Sequence, residues 1–331
     1  MNQQIKAGLY PFLVILGPTG SGKSELGLAL AEEFSGEIVN SDSVQVHRGL
    51  DIGSAKTPPE KRRGIPHRLL DVVGPDGELT AGAYAREART VLADVRARGK
   101  LPIVVGGTGF YVRALLEGLS PAPERDPELR ARLARLENRR TGVLYRFLRR
   151  HDPKAAGQIH PNDIQKLTRA VEMTVSARRA ASEIQSEPRT ELKGFSALKI
   201  GLAPRREDLR RHINERTERM FANGLLEETR ALLAAGCPPE AKALQALGYR
   251  QALKVLSGHM SVTEAIIECQ QKTRQYAKRQ MTWFRRDPGI HWLGLSGFGM
   301  ELSLKREAIV FTRQWLMSVY GYSLSNSEQL K

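Results

Sequence analysis

A lysine and a serine close a glycine-rich run near the start of the chain, Gly17-Pro18-Thr19-Gly20-Ser21-Gly22-Lys23-Ser24. This is the GxxxxGK[ST] pattern of a P-loop, a nucleotide-binding and most often ATP-binding signature. The glycines let backbone N–H groups close around phosphate oxygens, Lys23 neutralises the terminal phosphates, and Ser24 is placed to hold Mg²⁺. A second reactive group follows in Asn40-Ser41-Asp42-Ser43. Asp42 has two open roles: a carboxylate facing the bound phosphates, or a turn or N-cap residue. Beyond it, Gln45 to Lys56 reads as a polar loop whose basic groups can order over an anionic substrate. A P-loop hydrolase sets an acid at the end of an apolar strand to assist Mg²⁺. The stretch Ile103 to Thr108 (IVVGGT) ends without one, which weakens an ATPase reading.

These groups need a scaffold that brings them to one edge. Phe12 to Leu16 (FLVIL) is a short β-branched run ending at the glycines, and Glu25 to Phe34 is helix-forming, so the motif sits between strand and helix. Further strands are expected at Glu37–Asn40, Leu101–Val105 and Ala197–Leu202, with a helix around 81–98. Continuous apolar strands alternating with helices predict an α/β fold, a P-loop parallel sheet flanked by helices. Nine arginines fall between Arg125 and Arg150, in a polar helical stretch. The expected organisation is a P-loop catalytic core over 1–120 and 195–322, an inserted all-helical domain over 121–194, and a disordered tail over 323–331. The rest of the chain after 202 reads as helical: 206–221, 225–234 and a long basic helix at 262–284.

The balance of 51 basic against 36 acidic residues, a formal charge of +15, points to an anionic partner, with nucleic acid favoured over a membrane. Solubility alone also accounts for such a charge. Cys237 and Cys269 have neither CxxC spacing nor a His cluster, so no zinc site or disulfide framework is indicated. No stretch approaches the roughly 20 apolar residues of a membrane span. A cytoplasmic, monomeric protein with no membrane contact is expected. On the long basic helix, Lys272, Arg279 and Arg286 recur at heptad spacing beside Tyr276 and Trp283, a pattern equally suited to base stacking or to packing.

The segments GPTGSGKS, NSDSVQVHRGLDIGSAK, VVGGTGFYVRALLEGL, NDIQKLTRAVE and TRQYAKRQMTWFRR, in this order, resemble the tRNA dimethylallyltransferase (tRNA isopentenyltransferase) family over roughly 12–293. The resemblance implies a prenyltransferase of tRNA processing. It would move a dimethylallyl group from dimethylallyl diphosphate to N6 of adenine 37 in the anticodon loop, releasing diphosphate. Its cofactor would be Mg²⁺ and its partner the tRNA anticodon stem-loop. The whole P-loop, Gly17 to Ser24, would then hold the donor's diphosphate. By the same resemblance Asp42 is the general base, acting with Lys23 and Thr108. Tracts that would meet tRNA are Asp42, Ser43, Val44 and Gln45, then Thr108 and Arg130, and finally Gln165, Lys166, Leu167, Thr168 and Arg169. The chain departs from the family pattern at His47, Ser54, Lys166 and His212, where Tyr, Thr, Arg and Arg are usual. The last departure leaves Arg211 or Arg216 to clamp the diphosphate, and Arg216 is the residue assigned. The alternative is a P-loop nucleoside or small-molecule kinase, which would share the loop and the base.

Overall fold

A computed structural model describes residues 8–295 and 300–320. The predicted tail at 323–331 lies outside the described residues. By compactness the chain divides into two units, one of Met1–Leu115 with Leu192–Lys331, the other Leu116–Glu191.

The first unit is built on a six-stranded sheet. Its strands are β1 (Tyr10–Leu16), β2 (Gly36–Asn40), β3 (His67–Arg68), β4 (Leu101–Val105), β5 (Phe195–Pro204) and β6 (Ile290–Leu295). They run in the order β3-β2-β4-β1-β5-β6, with every pairing parallel. All five residues of β2 and of β4 are buried; β4 accordingly reads as a continuous apolar run, whereas β2 buries Glu37, paired with Arg68 and Arg98, and Asn40. Two of the strands escape the sequence reading. β3 has two residues, too few for any periodicity, and β6 stands where only helix was expected.

Helices cover the sheet: α1 (Lys23–Glu33), α2 (Ala81–Ala97) and α3 (Gly109–Glu117) come early. The short helices α4 (Pro127–Arg139), α5 (Val143–His151), α6 (Pro153–Gln158), α7 (Ile164–Ala177) and α8 (Ala181–Ser186) form the second unit. The chain then supplies α9 (Arg206–Ala222), α10 (Leu225–Ala234), α11 (Tyr249–Leu256), α12 (Val262–Phe284) and α13 (Met300–Tyr320). Leu13, Ile15, Leu30, Ile103 and Ile200 form one apolar core between sheet and helices, and Leu50, Leu225, Leu244, Tyr249 and Ala265 form a second under the loop after β2. Among the described residues, no helix is long and apolar enough to cross a membrane.

Leu133, Leu144, Leu148, Leu167 and Val171 make the core of the helical unit. Its turns are fixed by buried carboxylates. Glu137 accepts from the Gly142 and Leu144 amides. Asp152 caps α6 through Ala155 N–H at 3.0 Å and also accepts from Ser182 Oγ at 2.7 Å. With its polar groups thus satisfied inside, this unit leaves Arg132, Arg135, Arg139, Arg149 and Arg150 exposed.

Candidate active site

Three loops meet at the carboxyl end of the sheet because the strands before them end level. Ile15 of β1 and Asn40 of β2 both lie opposite Val105 of β4. The P-loop, the turn at Asp42 and the Gly106–Thr108 loop therefore share one edge, where ligands of open parallel sheets bind. They border a cleft of about 1470 Å³ whose lining includes Lys23, Ser24, Asp42, Gln45 and Arg216.

The P-loop takes its shape from glycine at Gly20 (φ 82°) and Gly22 (φ 85°), a left-handed conformation that strains other residues. Gly22 is also the N-cap of α1 and brings no capping side chain. The first-turn amides are thus left for a ligand, at the positive end of the helix dipole. Lys23 Nζ folds back to donate to the Pro18 carbonyl at 2.7 Å. Arg216 reaches over from α9 and donates to Thr19 Oγ1 at 2.7 Å. Both candidate arginines border the cleft, and helix phase sets them apart. Ile213, Thr217 and Met220 are the buried stripe of α9, and Arg216 lies between them. Arg211 is exposed and engaged by Asp208 at 3.3 Å.

Burial lowers the Lys23 ammonium from its ordinary 10.5 to about 8; the Asp42 carboxylate opposes the shift and Arg216 adds to it. Burial likewise lowers the Arg216 guanidinium. A group with a depressed basic pKa is protonated below that value and loses its charge above it. The free enzyme's kcat/KM for a diphosphate substrate should therefore fall as pH rises through about 8. The same measurement on Lys23→Arg should move the falling limb upward. A profile that stays flat to 10.5 would exclude Lys23 as the titrating phosphate ligand.

Asp42 is a turn residue through one oxygen, Oδ1, and leaves the other, Oδ2, without a partner among the described residues. Oδ1 accepts from Val44 N–H at 2.8 Å and Gln45 N–H at 3.4 Å, the bonds of a capped turn. Asn40 braces the turn, accepting from Asp42 N–H at 3.1 Å and donating to the Leu69 carbonyl at 3.0 Å. Thr108 Oγ1 accepts from Ser43 N–H at 3.0 Å and donates to Ser43 Oγ at 3.2 Å. Thr108 thus holds the Asp42 turn against the loop after β4, and its hydroxyl is already committed.

One site residue on α12 was not singled out from the sequence. Gln280, buried, accepts from Thr19 N–H at 2.9 Å and donates to the Gly107 carbonyl at 2.8 Å, joining two of the three loops. Tyr276 is pushed up to about 12, first by burial and then by the Asp42 charge, so its phenol stands protonated beside the carboxylate. Arg279 lies 5.8 Å from the centre of the Tyr276 ring. Trp283 covers Gly109 so closely that an added Cβ there would lie 2.3 Å from the indole. Both rings are half-buried against the protein, which is nearer to packing than to an open stacking platform.

Some expected substrate contacts are differently employed. Lys56 is buried, with Nζ 2.6 Å from both Asp51 and Asp71, so it locks its own loop rather than reaching an anionic substrate. His47 is buried too, its Nδ1 3.0 Å from the Gly74 carbonyl. In the helical unit, Leu167 and Thr168 face the core of α7, where a contact to RNA through their side chains is closed off. Arg169 is held by Glu172 at 2.7 Å and donates to the Pro123 carbonyl at 2.8 Å. Gln165 and Lys166 are exposed and Arg130 is half-buried.

Among the described residues, no group of three or more His, Cys, Asp or Glu is arranged to hold a metal by itself. Ser24 is exposed in the cleft and makes no hydrogen bond among the described residues. That donor set fits Mg²⁺, which takes few protein ligands and completes its shell with phosphate oxygens and water.

A family model described as IPP transferase matches residues 45–287. The tRNA dimethylallyltransferase of Solibacter usitatus is 52% identical over 88% of this chain and 95% of its own length. That of Geobacter sulfurreducens is 47% identical over 85% and 91%. Among solved structures, the full-length tRNA isopentenylpyrophosphate transferase of Bacillus halodurans is 31% identical, covers 94% and 97% of the two chains, and has a TM-score of 0.69. A eukaryotic dimethylallyltransferase acting on tRNA has a TM-score of 0.78 at 28% identity, over 93% and 80%. None of these relatives is a kinase. With a family model over most of its length and relatives matched nearly end to end, the chain belongs to the IPP transferase family, the family of the tRNA dimethylallyltransferases.

Proposed function

We propose that this protein transfers a dimethylallyl group from dimethylallyl diphosphate to N6 of adenine 37 in the anticodon loop of tRNA, releasing diphosphate. The observation that carries the reading is that Lys23 and Asp42 line the same cleft at the carboxyl edge of the sheet, with Arg216 beside the P-loop. One cleft thus offers a cation for a leaving diphosphate and a carboxylate for the amine that displaces it. In the reaction the N6–C1 bond forms as the C1–O bond to diphosphate breaks, and the amine proton passes to Asp42. Negative charge grows on the diphosphate in the transition state, where Lys23, Arg216 and the α1 amides stabilise it. Ser24 would hold Mg²⁺, which would supply further neutralisation of the charge on the leaving group. The amine becomes accessible when base 37 leaves its stack, which costs least in a single-stranded loop.

The exposed arginines of the helical unit fit a tRNA arm spanning 121–194, because phosphate contacts need cations free of carboxylates; Arg130, Gln165 and Lys166, the last paired with Asp163 at 2.7 Å, lie on the same unit. The test is to incubate the purified protein with dimethylallyl diphosphate, Mg²⁺ and unmodified tRNA, then weigh the nucleosides. A mass gain of one dimethylallyl group on adenosine at position 37 is expected. Transfer of a phosphoryl group from ATP to a small molecule, with tRNA unchanged, would return the kinase alternative.

A further inference from the structure

Three successive backbone amides converge on one carboxylate beside the cleft. Glu228 of α10 accepts from Asp51 N–H at 3.0 Å and Ile52 N–H at 2.8 Å through Oε2, and from Gly53 N–H at 3.2 Å through Oε1. The Tyr249 hydroxyl donates to the same Oε1 at 2.6 Å. Consecutive N–H groups curled around an anion form a nest, and their bonds are charge-assisted. Tyr249 is fully buried, and a Cβ added at Gly53 would fall 2.5 Å from its ring. The backbone at Gly53 is therefore seated against the ring and held by the carboxylate at once.

The loop so fixed ends at Ser54 and Ala55, whose carbonyls accept from Gln45 Nε2 at 3.1 and 3.4 Å. Two acceptors facing one end of an amide settle which end is nitrogen. The oxygen, Oε1, has no partner among the described residues, and Gln45 lines the cleft with Asp42. An exocyclic adenine amine carries two N–H groups. One proton goes to the base, and the other needs an acceptor.

We infer that Glu228, seated in the amide nest of Asp51, Ile52 and Gly53, is a positioning residue that fixes the Gln45 amide with its oxygen toward the cleft, as the acceptor for the second N–H of the target amine. The inference rests on the prenyl-transfer reading for its substrate, and on the nest alone for its mechanics. Glu228→Gln keeps the shape but turns an amide NH₂ toward N–H donors.

Two measurements on the full chain test it. Hydrogen exchange should quicken at the amides of Asp51 to Gly53 by at least about tenfold in Glu228→Gln, with the sheet amides unchanged. In steady-state assays Glu228→Gln should lower kcat/KM for tRNA by about 10- to 100-fold while donor KM holds. The same change in a Gln45→Ala background should cost less than about threefold, because its route to the substrate is already gone. Tyr249→Phe, which removes one bond to the carboxylate, should show the same pattern more weakly. Unchanged exchange, a shifted donor KM, or losses that multiply in the double variant would each overturn the inference. Absence of prenyl transfer by the wild-type protein would instead refute the reading of function, and the exchange measurement would still decide whether Glu228 holds the loop.

Discussion

Asp42→Asn is expected to slow single-turnover prenyl transfer by about 10²- to 10⁴-fold, the range a positioned general base contributes. Asparagine is the informative replacement because of how the carboxylate is divided. Its remaining oxygen can still accept from the Val44 and Gln45 amides, as Oδ1 does now, so the turn survives. What disappears is the proton acceptor at Oδ2. The amine proton turns acidic only as the N–C bond forms, so the loss belongs to the transition state and donor KM should hardly move. Asp42→Ala should cost more than Asp42→Asn, since it also deletes the turn bonds. If Asp42→Asn transfers the prenyl group at a near-normal single-turnover rate, the aspartate is a turn residue only. The same conclusion follows if extra donor repairs the defect.

Lys23→Ala should lower kcat/KM for dimethylallyl diphosphate by about 10²- to 10³-fold, split between a raised donor KM and a reduced kcat. Lys23 meets the diphosphate before and during bond breaking, and its contribution grows as charge moves onto the leaving group. The deletion also removes one of two donors to the Pro18 carbonyl, which accepts from Nζ at 2.7 Å and from Ser21 N–H at 3.2 Å. Binding of tRNA measured without donor should stay within about threefold of wild type, since uniform phosphate contacts elsewhere carry it. Steady-state kinetics in donor, beside a tRNA filter-binding titration, gives both numbers. A normal donor KM with reduced kcat would place Lys23 away from the ground-state diphosphate.

The phosphate loop and its neighbours were legible in the sequence because their signals are local. Glycine spacing, a β-branched run and a helical run give strand, loop and helix without any distant contact. Boundaries followed closely: α10 and α12 begin and end where the pattern of apolar residues does. The misreadings are all non-local. Lys56 is met at once by Asp51, five residues before it, and by Asp71, 15 residues after it, a pairing made only once the loop folds. Gln280 carries no motif chemistry, and only the folded chain brings it to Thr19. Arg216 and Arg211 are indistinguishable by type, and the phase of α9 separates them. Leu167 is the exception: its spacing to Ala170 and Val171 marks a buried helix stripe that the sequence already displayed.

The amide of Gln280 closes the phosphate loop from 261 positions downstream. During synthesis the ribosome releases β1, α1, β2 and β4 long before α12 exists, so a nascent chain owns the motif without owning a finished site. Until Gln280 arrives, the Thr19 N–H and the Gly107 carbonyl lack the partner that ties their loops together. A message truncated before α12 would therefore yield a protein with the full glycine signature and an unfastened loop. Assembly of this edge of the cleft is thus tied to completion of the chain.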